Sequence, residues 1–105
     1  ILLVITDQQH PDLAGFTGKT AVRTPHLDHL AAEGAAGSRA YAACPLCTPS
    51  RATMLSGQYP SRHGAWSIGT DTPDDITSVA ALLTAAGYRT GLVGKSHFKS
   101  CERPG

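Results

Sequence analysis

The chain opens on an unbroken apolar run, Ile1, Leu2, Leu3, Val4 and Ile5, which passes through Thr6 to the carboxylate of Asp7. A run this short and this rich in branched side chains fits a strand buried on both faces of a parallel sheet. It constrains the architecture more than any other stretch, because such a strand needs neighbours on each side and layers above and below. Five apolar residues are far too few to cross a bilayer, and the run has neither the charged lead nor the small-residue cleavage site of a signal peptide. Ligands collect at the carboxyl ends of strands in open α/β sheets, which makes Asp7 a candidate for site chemistry; a lone Asp there also fits a turn cap.

The rest of the chain alternates in the way that strand requires. Residues 8–23 contain Pro11, Gly15 and Gly18 and read as a loop. Thr24 is then predicted to cap a helix with Pro25 at its first position, Leu27, Leu30 and Ala31 on one face, and Gly34 as the stop. Residues 38–42 fit a short strand feeding a cysteine-bearing loop, and the polar stretch 58–75 reads mostly as loop. Thr77 or Ser78 caps a second helix, whose Val79, Leu82, Leu83 and Ala86 have the spacing of a core-facing stripe and which Gly87 ends. Residues 89–94 read as a second buried strand. Strands alternating with helices predict an α/β layer fold with parallel pairing through right-handed crossovers. No internal repeat, low-complexity tract or linker divides residues 1–105, so they are expected to belong to one domain.

Composition narrows the function classes. With 41% hydrophobic and 16% charged residues over 105 positions, the chain is neither a disordered tail nor a disulfide miniprotein. A net charge of +1, with Lys and Arg scattered among Asp and Glu, provides no basic stripe for nucleic acid and no polybasic membrane patch.

The densest chemistry lies in Cys47, Thr48, Pro49, Ser50 and Arg51, a C-x-P-S-R run followed by Ala52 to Ser56 and a closing Gly57. Pro49 suits a first helical position, where its missing N–H costs nothing, so Cys47 is expected just before a helix N-terminus. Free backbone N–H groups and the positive dipole end favour an anion there, and Arg51 adds a fork of donors suited to a tetrahedral oxyanion such as sulfate or phosphate. Cys44 and Cys47 also spell C-x-x-C, which fits a redox pair or half of a zinc cage. Zinc needs a second ligand pair that Cys101 alone does not supply, and a redox site leaves Pro49, Ser50 and Arg51 in that order unexplained. Cys44 and Cys101 therefore read as ordinary free thiols.

The same run resembles the signature of type I sulfatases, in which the cysteine of C-x-P-S-R is oxidised after translation to formylglycine. Further matches follow in the family's order: a predicted strand ending in Asp7, the run 24–30, the Y-P-x-x-H-G block at 59–64, and Gly94, Lys95, Ser96 and His97. Together they cover nearly the whole chain. The resemblance implies the N-terminal portion of an alkaline-phosphatase-like layered fold, with a mainly parallel sheet flanked by helices. It implies a sulfuric ester hydrolase acting on a small-molecule or carbohydrate sulfate ester, and a formylglycine-generating maturation enzyme as partner. It also implies a divalent cation, normally calcium or magnesium, with manganese possible in a relative that uses His10. Asp7 would be a metal ligand, as would position 47 once converted. Gln8, where many members carry a second ligating aspartate, is a weaker candidate whose carbonyl can bind a hard cation without charge. His10 also fits a solvated loop residue.

Lys95 and His97 follow a predicted strand and alternate along it, so they are expected on one side of an extended segment; composition alone also fits an exposed pair at a strand end. In the family's G-K-x-H segment the lysine binds sulfate and formylglycine oxygens and the histidine hydrogen-bonds the hydrated aldehyde. The resemblance thus implies Cys47, Arg51, Lys95 and His97 as the catalytic set. On that resemblance one hydroxyl of the hydrated aldehyde would attack sulfur, Arg51 and Lys95 would stabilise the equatorial oxygens, and His97 would take a proton as the enzyme-bound sulfate is released. Ser96 stands where many members have Trp, and Phe98 where many have Leu, features that resemble choline-sulfatase-like and phosphonate monoester hydrolase branches. A phosphonate or phosphate monoester hydrolase of the same superfamily would use the same cradle. His63 is expected to organise its loop, and His26 and His29 to lie solvated on their helix. The family draws its remaining metal ligands and its leaving-group acid from beyond residue 105, so the chain alone is expected to be inactive.

Overall fold

A computed structural model describes residues 1–97, and the chain divides into two compact units, Ile1–Ala40 and the unit that begins at Tyr41. Phe98 and Cys101, singled out in the sequence, lie outside the described residues.

In the first unit, residues 8–23 are not a featureless loop but hold two single turns of 3-10 helix, Pro11–Leu13 and Gly15–Thr17. Both begin where proline or glycine punctuates the sequence. The helix α1, Pro25–Glu33, has Pro25 at its first position and Gly34 as its C-cap, as the capping pattern predicts. Thr24 occupies the N-cap position, yet its hydroxyl does not cap the helix. It accepts from the Gly15 N–H at 2.7 Å and donates to Asp28 Oδ1 at 2.8 Å, so the side chain ties the second 3-10 turn to the first turn of α1. A Cβ on Gly15 would lie 2.6 Å from Asp28 Oδ2, which explains why a glycine makes this approach.

The second unit is built round α2, Cys47–Ser56. Leu46 is its N-cap, so Cys47 is the first helical residue and Pro49 the third, which corrects the expected start at Pro49. Proline is tolerated throughout the first turn, because no N–H there has an intrahelical acceptor, so Pro49 by itself cannot say which of the first positions it fills. Gly57 ends the helix at φ 69°, in the left-handed region that a side chain disfavours. A one-turn helix, α3, Pro60–His63, interrupts the stretch read as loop, bracketed by Pro60 and Gly64. The last helix, α4, Val79–Ala85, is capped by the Ser78 hydroxyl, which accepts from the Ala81 N–H at 3.2 Å. Main-chain bonds from Gly87 to Thr84 and from Tyr88 to Leu83 close its C-terminus.

The expected strands are not formed. Residues 1–6, 38–42 and 89–94 belong to no ladder, and among the described residues there is no β-strand. Ile1, Leu2 and Val4 are exposed, as are Leu92 and Val93, although their composition suits a two-sided burial. The physical reason is that a parallel strand is completed by neighbours that bond both its edges and cover both its faces; a segment without them has the composition of a strand and not the conformation. For the same reason the stripe on α4 is only partly used: Leu83 is half-buried, while Val79 and Leu82 are exposed. What is buried in the second unit centres on α2, with Thr48, Pro49 and Ala52 beside His63 and Ala65.

Candidate active site

Cys47 begins α2 and is half-buried, a free thiol like Cys44. The Lys95 ammonium lies 3.8 Å from its sulfur. Arg51, one turn further along the same helix, donates from Nη1 to the main-chain carbonyl of Lys95 at 2.8 Å. Residues four apart on a helix share a face, so Cys47 and Arg51 both address the segment carrying Lys95. The Lys95 ammonium and the N-terminus of a ten-residue helix thus meet at position 47, where an anion is favoured by charge, while Arg51 engages the main chain of Lys95.

His97 is half-buried, and its Nδ1 has no hydrogen-bond partner among the described residues. Its φ of 55° puts a non-glycine residue in the left-handed region, where strain is sustained by surroundings rather than by local preference. The strand-like alternation that would set Lys95 and His97 on one side is therefore broken at His97, because a left-handed residue redirects the chain.

A second buried feature steadies α2. His63 is wholly buried at the end of α3. Its Nδ1 accepts from the Ala65 N–H at 3.2 Å, so the neutral ring carries its proton on Nε2, which lies 3.0 Å from the Thr53 hydroxyl. The histidine organises its loop, as the sequence suggests, and also pins it to the middle of α2. No motif marks Thr53, whereas α3 is signalled by Pro60 at its first position and Gly64 just past its end. The Thr48 hydroxyl, next to Cys47, is buried without a hydrogen-bond partner among the described residues.

The remaining candidates belong to the first unit. Asp7 and Gln8 are exposed, and the Asp7 carbonyl accepts from the Gln9 N–H. One carboxylate and one carboxamide oxygen suit a hard cation in donor type, but they are only part of the roughly six to eight oxygens calcium takes. Among the described residues no three His, Cys, Asp or Glu side chains are grouped to hold a metal ion. His10 caps the first 3-10 turn, its Nδ1 accepting from the Asp12 N–H at 3.2 Å. His26 and His29 are exposed on α1, and His29 Nε2 stands 3.3 Å from Glu33.

Comparison with known proteins places this arrangement. Residues 1–104 match the family model described as Sulfatase, and the chain belongs to that family. It is 42% identical over 113 residues to a steryl-sulfatase of Rattus norvegicus, covering 96% of this chain and 20% of that protein. It is 39% identical over 108 residues to arylsulfatase D of Homo sapiens, covering 92% and 18%. An ulvan-active sulfatase of Formosa agariphila is 36% identical over 103 residues, covering 98% and 20%. The chain thus spans about a fifth of the length of these curated relatives. No solved structure matches it. The family's fold is the alkaline-phosphatase-like α/β architecture, of which the described residues contribute helices and unpaired segments.

Proposed function

We propose that the full-length protein is a sulfuric ester hydrolase that cleaves a sulfate ester at position 47, once Cys47 has been converted to formylglycine by a maturation enzyme. Residues 1–105 are then part of one sulfatase catalytic domain. The observation that carries the reading is the Lys95 ammonium 3.8 Å from Cys47 Sγ at the start of α2, in a chain of the sulfatase family. A thiol cannot present two hydroxyls on one carbon, whereas a hydrated aldehyde can, so cysteine here is a precursor.

In this reading Lys95 neutralises charge on the ester's oxygens as the bond to the leaving alcohol breaks, and the N-terminal amides of α2 add fixed donors. Arg51 contributes a second cation beside them. His97, whose Nδ1 lacks a partner among the described residues, holds or accepts the proton of a hydroxyl at position 47. Asp7, with Gln8 in a lesser part, supplies oxygen ligands for a divalent cation, calcium first; bound, that cation offers Lewis-acid stabilisation of negative oxygen. The relatives are named for steryl, aryl and ulvan substrates, which supports a small-molecule or carbohydrate sulfate ester without choosing one.

The test is expression of the full-length protein with a formylglycine-generating enzyme. Peptide mass over position 47 is expected to show the aldehyde, and Cys47→Ala to lower sulfate-ester turnover by at least about a thousandfold. A thiol persisting under competent maturation, or undiminished hydrolysis by the variant, removes the nucleophile assignment. Matched sulfate and phosphonate esters decide the reaction class, since faster phosphonate turnover makes the protein a phosphonate monoester hydrolase instead.

A further inference from the structure

We propose that Arg51 is a positioning residue, acting on the reaction through Lys95 rather than only through its own charge; the inference rests on the hydrolase reading above. Three observations close a small ring. Arg51 Nη1 donates to the Lys95 carbonyl at 2.8 Å, and the Lys95 ammonium reaches back to Cys47 Sγ at 3.8 Å. Cys47 and Arg51 lie on one helix, separated by about 6 Å of rise. The ring joins residues more than forty positions apart in the chain.

The chemistry of the two cations makes the division of labour intelligible. Lysine ends in a point charge on a flexible stem, so its placement depends on where its main chain is held. Lys95 lies in a segment that belongs to neither helix nor strand, just after Gly94 at φ 99°. Arg51 is the opposite case: a planar fork on the second turn of a ten-residue helix. One arm of that fork on the Lys95 carbonyl fixes the main chain of the loop to the element that also carries position 47. The ammonium and the reacting atom are thereby referred to the same helix, and misplacement by a fraction of the contact distance weakens a charge interaction that works only at close range.

A double-mutant cycle on the full-length, matured protein tests this, with kcat normalised to the aldehyde content at position 47. Arg51→Ala and Lys95→Ala are each expected to lower kcat by roughly a hundredfold, with KM changed less than about threefold. The double variant is expected to fall below Lys95→Ala by much less than the factor Arg51→Ala costs in the wild type, because only the direct charge of Arg51 is then left to lose. Arg51→Gln, run in parallel, keeps a shorter donor and should fall between wild type and alanine; it preserves the cycle if the alanine variant does not mature. Losses that multiply in the double variant overturn the proposal, as does an Arg51→Ala effect confined to KM. A crystal structure of full-length Arg51→Ala provides the readout that does not need activity. Displacement of the Lys95 main chain, with its ammonium no longer at position 47, is the expected result; an unmoved Lys95 overturns the proposal. Should wild-type protein bearing the aldehyde fail to hydrolyse sulfate esters, the hydrolase reading falls, and this crystallographic comparison still decides whether Arg51 holds Lys95.

Discussion

A buried histidine with both ring nitrogens engaged is an expensive group to remove, because its loss leaves polar partners behind as well as a cavity. His63→Ala strands the Ala65 N–H and the Thr53 hydroxyl and empties a wholly buried site. We expect full-length His63→Ala to lose about 2–4 kcal/mol in urea unfolding. Thr53→Val, which removes only the acceptor, should lose about 1 kcal/mol. A loss for His63→Ala no larger than that of Thr53→Val would show that the ring is not packed as described. At this scale the candidate reactive residues stand out in the sequence and their supports do not. Cys47, Arg51, Lys95 and His97 stand in short motifs whose chemistry can be read in order. The Thr53 hydroxyl and the Lys95 carbonyl carry no such mark, because any threonine has a hydroxyl and any residue a carbonyl, and only folding brings a particular one to His63 or Arg51.

Helix boundaries are set by termini that local chemistry can satisfy, which is why α1 and α4 lie where proline, serine and glycine predict them. The start of α2 two residues early has a chemical consequence: Cys47 is itself the first helical residue, and its side chain shares a face with Arg51. Gly57 closes that helix at φ 69°, so Gly57→Ala forces a Cβ into the left-handed region. The expected penalty is about 1 kcal/mol, read as a lower urea midpoint with an unchanged slope. Ser78→Ala removes the bond to the Ala81 N–H and should cost a similar amount, about 1 kcal/mol, in the same measurement. The strands show the limit of local reading. A helix satisfies its own main chain, whereas residues 1–6 and 89–94 need donors and acceptors from other segments, and composition alone cannot supply them.

For the whole molecule, the donor set bears on how activity depends on metal. On the proposed function, Asp7 and Gln8 supply too few oxygens to hold a divalent cation by themselves, so that reading requires further ligands from elsewhere in the full-length protein. Chelation of the matured, full-length protein is expected to lower sulfate-ester turnover at least about a hundredfold while the aldehyde mass at position 47 persists. Calcium should restore it; recovery with manganese and not calcium would bring forward a nitrogen ligand such as His10 instead. Sequence by itself was enough for the family and for the capped ends of α1 and α4, because each rests on side-chain chemistry at short spacing. Tertiary structure alone decided that Arg51 bonds the Lys95 carbonyl, that the Lys95 ammonium meets Cys47, and that His63 fastens α3 to α2. Those contacts join residues that are ten to forty-eight positions apart, and no local preference sets such a distance; it follows from how the helices and their loops pack.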